Sequence, residues 1–89
     1  MMFEWDEAKR ISNLAKHRLD FRGAVELFDG RPSITIESSH IGEERFATTA
    51  VLGEMFVTVI WTWRGQNRRI ISMRSARDVE KRAHRELHG

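Results

Sequence analysis

The sequence contains no cysteine, no tyrosine and a single proline, and it has no long hydrophobic run. Without cysteine, neither a disulfide framework nor a zinc site with thiolate ligands is possible. The longest apolar-rich stretch, residues 55–63, is far too short to span a bilayer and includes two threonines. The opening residues "MMFEWDEAKR" carry charge from the fourth position and lack the apolar segment of a signal peptide. We therefore expect a soluble, cytoplasmic protein.

Positive charge is concentrated near the carboxyl terminus. The chain has 89 residues, which predicts a single domain over residues 1–89. Residues 1–63 contain seven Lys/Arg against ten Asp/Glu, whereas residues 64–89 contain eight against three. This asymmetry indicates a polyanion or an acidic protein as the partner of the last third, although a basic helix that only faces solvent is the alternative.

Local signals predict two helices at the amino terminus and one at the carboxyl terminus. Asp6 is a candidate N-cap for a helix to about residue 18, and Asp20 for a second helix over residues 21–28. Ser75, with Asp78 three residues later, is typical of a capping box at the start of the last helix.

The middle of the chain has the alternation of β-strands. We predict four mostly antiparallel strands, around "SITIE", "RFATTAVL", "MFVTVIWTW" and "RRIISMR", with a hairpin turn at "RGQN". The third is expected to be central and covered on both faces. Strict alternation in the fourth would place Arg68, Ile70, Ser72 and Arg74 on one face, and Arg69, Ile71 and Met73 on the other. The predicted fold is therefore an α+β layer arrangement.

The histidines are weak candidates for a metal site. They are His17, His40, His84 and His88, of which the last two are spaced i,i+4. No third ligand has a clear spacing to this pair, and the flanking arginines would repel a cation. We predict no metal and no cofactor.

RNA cleavage is a reaction that this composition can support without a cofactor, because the 2′-hydroxyl is an internal nucleophile. The protein must position the phosphate, stabilise charge on its oxygens and transfer protons. Arginine suits the second task because its planar fork matches phosphate. The candidates for proton transfer are His17, His84, Glu43, Glu44 and Glu80. For His17, a cap at the end of the first helix is the favoured interpretation.

Four motifs along the chain resemble those of the BrnT toxins of type II toxin–antitoxin modules. "FEWDEAKRISNLAKH" is similar to the opening motif of that family, and "DFRGAVELFD" to its second helix. "GEERF" supplies Gly42, Glu43 and Arg45, and "RRIISMRSA" resembles the signature Arg-Ile-Ile-Ser-Ala-Arg-x-Ala. The sequence departs from the family pattern at three positions, which are Met73 in place of alanine, Ala50 in place of glycine, and His84 in place of tyrosine.

The resemblance implies a RelE/ParE-like fold and a toxin that cleaves RNA, blocks translation and arrests growth. It also implies a partner, a BrnA-like antitoxin with a ribbon-helix-helix DNA-binding domain. Toxin and antitoxin would form a heterotetramer that binds operator DNA through the antitoxin.

The leading hypothesis is a metal-independent endoribonuclease. In it, Arg45, Arg69 and Arg74 bind the scissile phosphate, and Glu43, Glu80 or His84 transfers protons. Further RNA contacts would come from four basic residues, Lys16, Arg68, Arg77 and Lys81. The alternative is a binding module that holds an acidic antitoxin segment or nucleic acid without turnover. A free-standing DNA-binding regulator is the weaker third interpretation, because no helix-turn-helix pairing is evident.

Overall fold

The computed structural model describes residues 2–40 and 42–89, without the side chains of residues 39 and 40. In chain order the elements are β1 (Phe3–Trp5), α1 (Glu7–His17), α2 (Phe21–Ala24), a 3₁₀ turn (Val25–Phe28), β2 (Ser33–His40), β3 (Glu43–Leu52), β4 (Met55–Arg64), β5 (Asn67–Ser75) and α3 (Asp78–His88). The strands form one sheet in the order β1-β5-β4-β3-β2. The α+β prediction is confirmed. No helix in the described part of the chain is long and apolar enough to cross a membrane.

The prediction of four strands is wrong, because the sheet has a fifth, β1. This strand pairs in parallel with β5, with Phe3 opposite Arg68 and Trp5 opposite Ile70. The sheet is therefore mixed, since its other pairings are antiparallel. Three residues are too few to show an alternation of polar and apolar side chains, so the sequence pattern did not predict β1. This strand is defined by its pairing with the edge of β5.

The first two helices begin at the predicted caps. The Asp6 carboxylate accepts hydrogen bonds from the backbone N–H groups of Ala8 and Lys9, at 2.9 and 3.2 Å. Asp20 accepts one from the N–H of Arg22 at 3.0 Å. Helix α1 ends where Arg18 takes a left-handed conformation with φ of 58°. The second predicted helix is α-helical only as far as Ala24 and then tightens into the 3₁₀ turn, a frequent ending for helices.

The predicted N-cap of α3 is wrong. Ser75 is still part of β5, where it pairs with Val57, and this pairing holds its backbone extended. Arg77 is the N-cap instead, and its backbone N–H donates to the Glu80 carboxylate at 2.7 Å. The reciprocal half of a capping box is thus made by Glu80.

A β-bulge at Ile71 changes which side chains of β5 share a face. Ile70 pairs with Trp61 and Ser72 pairs with the preceding residue, Ile60, so Ile71 has no residue opposite it. The predicted strict alternation is therefore wrong. Arg69 and Arg74 lie on the same face of the sheet, because their partners Thr62 and Thr58 are four residues apart on β4.

The hydrophobic core lies between the other face of the sheet and two short helical segments, α2 and the 3₁₀ turn. Its fully buried members include Phe21 and Leu27 from those segments, and Val59, Ile70 and Met73 from the sheet. On the opposite face of β4, Thr58 is also fully buried. The prediction that β4 is central is confirmed, and its second face is covered at Thr58 and Thr62 but only half-buried at Ile60.

Candidate active site

The sheet face that carries Arg74 forms an open cleft against the start of α3. The cleft has a volume of about 370 Å³ and is lined by residues from β2, β3, β4, β5 and α3, namely Ile36, Ser38, Arg45, Ala47, Ile60, Arg74, Arg77 and Glu80. We call it the arginine cleft. Ile36, Ala47 and Ile60 are paired in one row across three strands and make an apolar floor. The charged residues stand around this floor.

The side chain of Arg74 is held by Glu80 at two points. Its Nη1 and Nη2 groups donate to Oε1 and Oε2 of the carboxylate at 2.8 and 2.9 Å. Nη1 also donates to the backbone oxygen of Ser75 at 3.3 Å. Bidentate pairs of this kind set the orientation of the guanidinium plane as well as its position.

Two threonines extend this network into the sheet. Thr58 donates its hydroxyl hydrogen to Oε1 of Glu80 at 3.0 Å. The hydroxyl of Thr49 lies 2.7 Å from that of Thr58, so Thr49 donates there. Both threonines are buried, and the Glu80 side chain is 11% exposed. The carboxylate is therefore fixed from the sheet below and from Arg74 beside it.

These contacts keep Glu80 ionised. Burial by itself raises the pKa of this carboxyl group, but hydrogen bonds from Arg74, the Arg77 backbone and Thr58 outweigh that effect. Together they lower the pKa of Glu80 from 4.5 to about 2. A carboxylate with so low a pKa is a weak proton acceptor at neutral pH, and its geometry suits it to orient Arg74.

Arg45 brings a second guanidinium to the cleft from β3. It pairs across the strands with Ser38, another lining residue. Its Nη2 lies 3.7 Å from Oε2 of Glu43. Its Nε is buried and, within the described residues, has no hydrogen-bond partner. Arg77, at the cap of α3, is exposed to solvent and completes the set of three arginines.

Arg69 lies on the same face of the sheet as Arg74 but does not line the cleft. Its Nη1 donates to Oε2 of Glu4 at 2.7 Å, which ties β5 to β1. Hydrogen bonds from Arg69 and Asn67 lower the pKa of Glu4.

Arg68 is on the core face, away from the arginine cleft. Its guanidinium carbon lies 4.3, 4.8 and 5.0 Å from the ring centres of Phe28, Trp61 and Trp63. Burial lowers the pKa of this guanidinium. The aromatic contacts give Arg68 a packing role in this structure.

The carboxyl-terminal histidines join α3 to the start of β2. His84 is 7% exposed as a whole residue, and its Nε2 lies 3.2 Å from the carbonyl oxygen of Pro32. Nε2 of His88 lies 2.7 Å from the carbonyl oxygen of Ser33. The side chain of His40 lies outside the described residues. Among those described, no group of three His, Asp or Glu side chains is arranged to hold a metal ion.

The other predicted residues are dispersed. Lys16 lines a separate, shallow groove between α1 and β5. Lys81, on α3, and Glu43 do not line the arginine cleft. Thr49 and Thr58 were not among the residues that the sequence predicted for the site. The sequence does contain a signal that Thr58 is a buried polar residue, because it alternates with apolar residues on a strand expected to be covered on both sides.

The fold and the cleft define a small α+β protein that presents arginine side chains of the kind that bind phosphate. A family model described as "ribonuclease toxin, BrnT, of type II toxin–antitoxin system" matches residues 5–80. The chain belongs to the BrnT family, as the motifs predicted. Membership in a type II toxin–antitoxin family implies an antitoxin partner. A comparison with curated proteins found no match.

Proposed function

We propose that the chain is a metal-independent endoribonuclease toxin whose active centre is the arginine cleft. The observation that carries this proposal is the convergence of Arg45, Arg74 and Arg77, from three different elements, on one cleft above an apolar floor. An RNA phosphate would meet three guanidinium groups there, and a base or ribose could pack on the floor.

Arg74 is the group best prepared to stabilise a phosphate. Arginine has five N–H donors, of which contacts to described residues use three. Two donors are left for phosphate oxygens. Because Glu80 already fixes the guanidinium, little rotational freedom is lost when RNA binds. In this scheme Glu80 is a positioning residue and Arg74 a catalytic one.

The reaction is an attack of the ribose 2′-oxygen on the adjacent phosphorus. The bond from phosphorus to the 5′-oxygen of the next nucleotide breaks, and a 2′,3′-cyclic phosphate forms. A base takes the proton of the 2′-hydroxyl, and an acid protonates the departing 5′-oxygen. We assign proton transfer first to Glu43, which stands outside the lining of the cleft but lies 3.7 Å from the lining residue Arg45 and is more exposed than Glu80 or His84. Arg69 and the basic residues Lys16, Arg68 and Lys81 would act outside the cleft, on flanking RNA or on protein structure.

The proposed biological setting follows the family. The toxin would block translation by RNA cleavage and arrest growth. A BrnA-like ribbon-helix-helix antitoxin would neutralise it in a 2:2 complex that binds operator DNA.

The test is cleavage of an end-labelled RNA by the purified chain in the presence of EDTA. We expect cleavage with 2′,3′-cyclic phosphate ends, and a loss of about 10²-fold in rate for Arg45→Gln or Arg77→Gln, which is typical when a single donor that stabilises the transition state is removed. Arg82→Gln, an exposed change on α3 outside the cleft, is the matched control. Products with 3′-hydroxyl ends, or equal rates in all four proteins, would refute the proposal.

A binding module without turnover is the second candidate. It is favoured by one observation, namely that Glu80 is the sole carboxylate among the described lining residues and is engaged by Arg74. RNA that binds the cleft but stays intact under the same conditions would support this candidate.

A further inference from the structure

The second groove, between α1 and β5, has the character of an anion site. It encloses about 180 Å³ and is lined by five residues of α1 and two of β5, namely Lys9, Ser12, Asn13, Lys16, His17, Ile71 and Ser72. We call it the lysine groove. The α1 residues follow the spacing i, i+3, i+4, i+7, i+8, so they form one face of the helix. Two ammonium groups, an imidazole and two hydroxyls therefore surround a shallow hollow.

In the part of the chain that the structure describes, no carboxylate forms an ion pair with the basic side chains of this groove. Across residues 2–40 and 42–89, leaving aside the side chains of residues 39 and 40, no salt bridge or hydrogen bond engages the side chain of Lys9, Lys16 or His17. By contrast, Arg69 and Arg74 pair with carboxylates. A bound anion would supply the counter-charge that the described residues do not provide to the two lysines.

Asn13 makes the groove a built feature of the fold. Its Nδ2 donates to the carbonyl oxygens of Met73 and Leu19 at 2.9 and 3.0 Å, and its Oδ1 accepts from the N–H of Met73 at 3.2 Å. Beyond the end of β1, the Asn13 amide thereby makes the backbone hydrogen bonds to β5 that a neighbouring strand would make, and it fixes α1 against β5. The helix face with the lysines is held in place by this contact.

The two cavities are neighbours. Ser72, which lines the lysine groove, pairs with Ile60, which lies in the floor of the arginine cleft. Paired strands are about 4.8 Å apart, so the cavities are separated by about one strand. The row of paired residues that forms the floor of the arginine cleft thus continues from Ile60 to Ser72 in the lysine groove. Ligands with several phosphates in series match such an arrangement better than a single ion does.

We infer that the lysine groove is a second phosphate subsite, which holds a phosphate of the RNA strand flanking the one bound in the arginine cleft. The inference rests on the proposed function. Lysine, serine and histidine side chains supply the contacts to phosphate oxygens that position a nucleic acid without reading its bases. The groove would therefore set the register of the strand and contribute affinity without sequence preference.

The test is binding of a fluorescein-labelled 2′-O-methyl hexanucleotide, measured by anisotropy over a range of salt concentrations. The methyl groups block the nucleophile, so binding is observed without cleavage. Lys9→Gln/Lys16→Gln is the test variant, and Arg22→Gln/Arg82→Gln is the control with the same loss of charge at exposed positions outside both cavities. All four positions are exposed, and an unchanged thermal midpoint would verify folding.

We expect the lysine variant to bind about tenfold more weakly than wild type, and its log–log salt slope to be less steep by about 0.7, since the groove holds one phosphate and each phosphate contact on a single strand contributes about 0.7. The control should stay within about twofold of wild type. If the lysine variant and the control bind alike while wild type binds RNA, the inference fails and the proposed function stands. Wild-type protein that binds no hexanucleotide would overturn both. If the lysine variant lost binding to polyglutamate but still bound the hexanucleotide as wild type does, the groove would be assigned to an acidic protein partner. That result would refute the RNA subsite.

Discussion

The ion pair between Glu80 and Arg74 should make a contribution to stability that acid removes. The pKa of Glu80 is about 2 in the folded protein against an ordinary value of 4.5. At about 1.4 kcal/mol for each pKa unit, this difference corresponds to roughly 3 kcal/mol of folding free energy at neutral pH. Because the folded-state pKa is the lower one, the contribution is complete above about pH 5 and declines as the pH falls from there to about 2.

The perturbation that isolates this effect is Glu80→Gln, which keeps the shape of the side chain and removes its charge. At pH 7 we expect the free energy of unfolding to drop by about 3 kcal/mol, and the thermal midpoint by roughly 10–20 °C for a domain of this size. The assay is urea unfolding followed by circular dichroism at pH 7, 5 and 3. The difference between wild type and variant should shrink steadily with acidification.

Glu86→Gln, an exposed change on the same helix, is the control and should alter stability by no more than about 0.5 kcal/mol. A deficit of Glu80→Gln that is the same at pH 7 and pH 3 would mean that packing, and not charge, is responsible. No deficit at pH 7 would refute the assignment of Glu80 as a buried, paired carboxylate.

Three further predictions concern the surroundings of the site. Asn13→Ala should lower the free energy of unfolding by about 2–4 kcal/mol in urea titrations, because it leaves buried backbone groups of Met73 without partners; a cost below 1 kcal/mol would contradict this. Thr58→Val should cost about 1–3 kcal/mol by the same measurement, since two buried polar partners lose the hydroxyl; a neutral effect would show that water replaces it. In RNA cleavage assays, Arg69→Gln should retain at least tenfold more activity than Arg74→Gln, because Arg74 lines the arginine cleft and Arg69 does not. The reverse order of activities would indicate that the active centre lies nearer to β1.

Local signals were sufficient for the starts of the first two helices and for the strongest strands. Asp6 and Asp20 cap their helices because a short acidic side chain can reach free N–H groups one turn away, which needs no tertiary partner. Strand β4 was likewise readable, because a strand covered on both faces gives a nearly continuous run of apolar and β-branched residues. These features depend on residues within a few positions of one another.

Three features of the fold were not predictable in this way. Strand β1 depends on a partner more than sixty positions away, the bulge at Ile71 depends on the register between β4 and β5, and Ser75 stays extended because it pairs with Val57. Each is set by hydrogen bonds to a distant segment, and the conformational preference of a single residue does not indicate which distant segment it will pair with.

The site shows the same division. Residue types and spacing pointed to phosphate chemistry, to the BrnT family, and to Arg45, Arg74, Arg77 and Glu80 among the candidates. They did not separate these from Arg68, Arg69 and His84. In the structure, Arg68 contacts aromatic rings, Arg69 pairs with Glu4, and His84 lies beside a backbone carbonyl.

The sequence by itself determined the chemistry available to this protein and most of its local structure, because caps, turns and alternation act over a few residues. Only the tertiary structure decided which charged groups meet. One extra residue in β5 turns Arg74 to the same face as Arg69, and the packing of α3 places Glu80 against Arg74. Strand register and helix docking are properties of the whole sheet, so the position of a guanidinium in a cleft cannot be read from its neighbours in the chain.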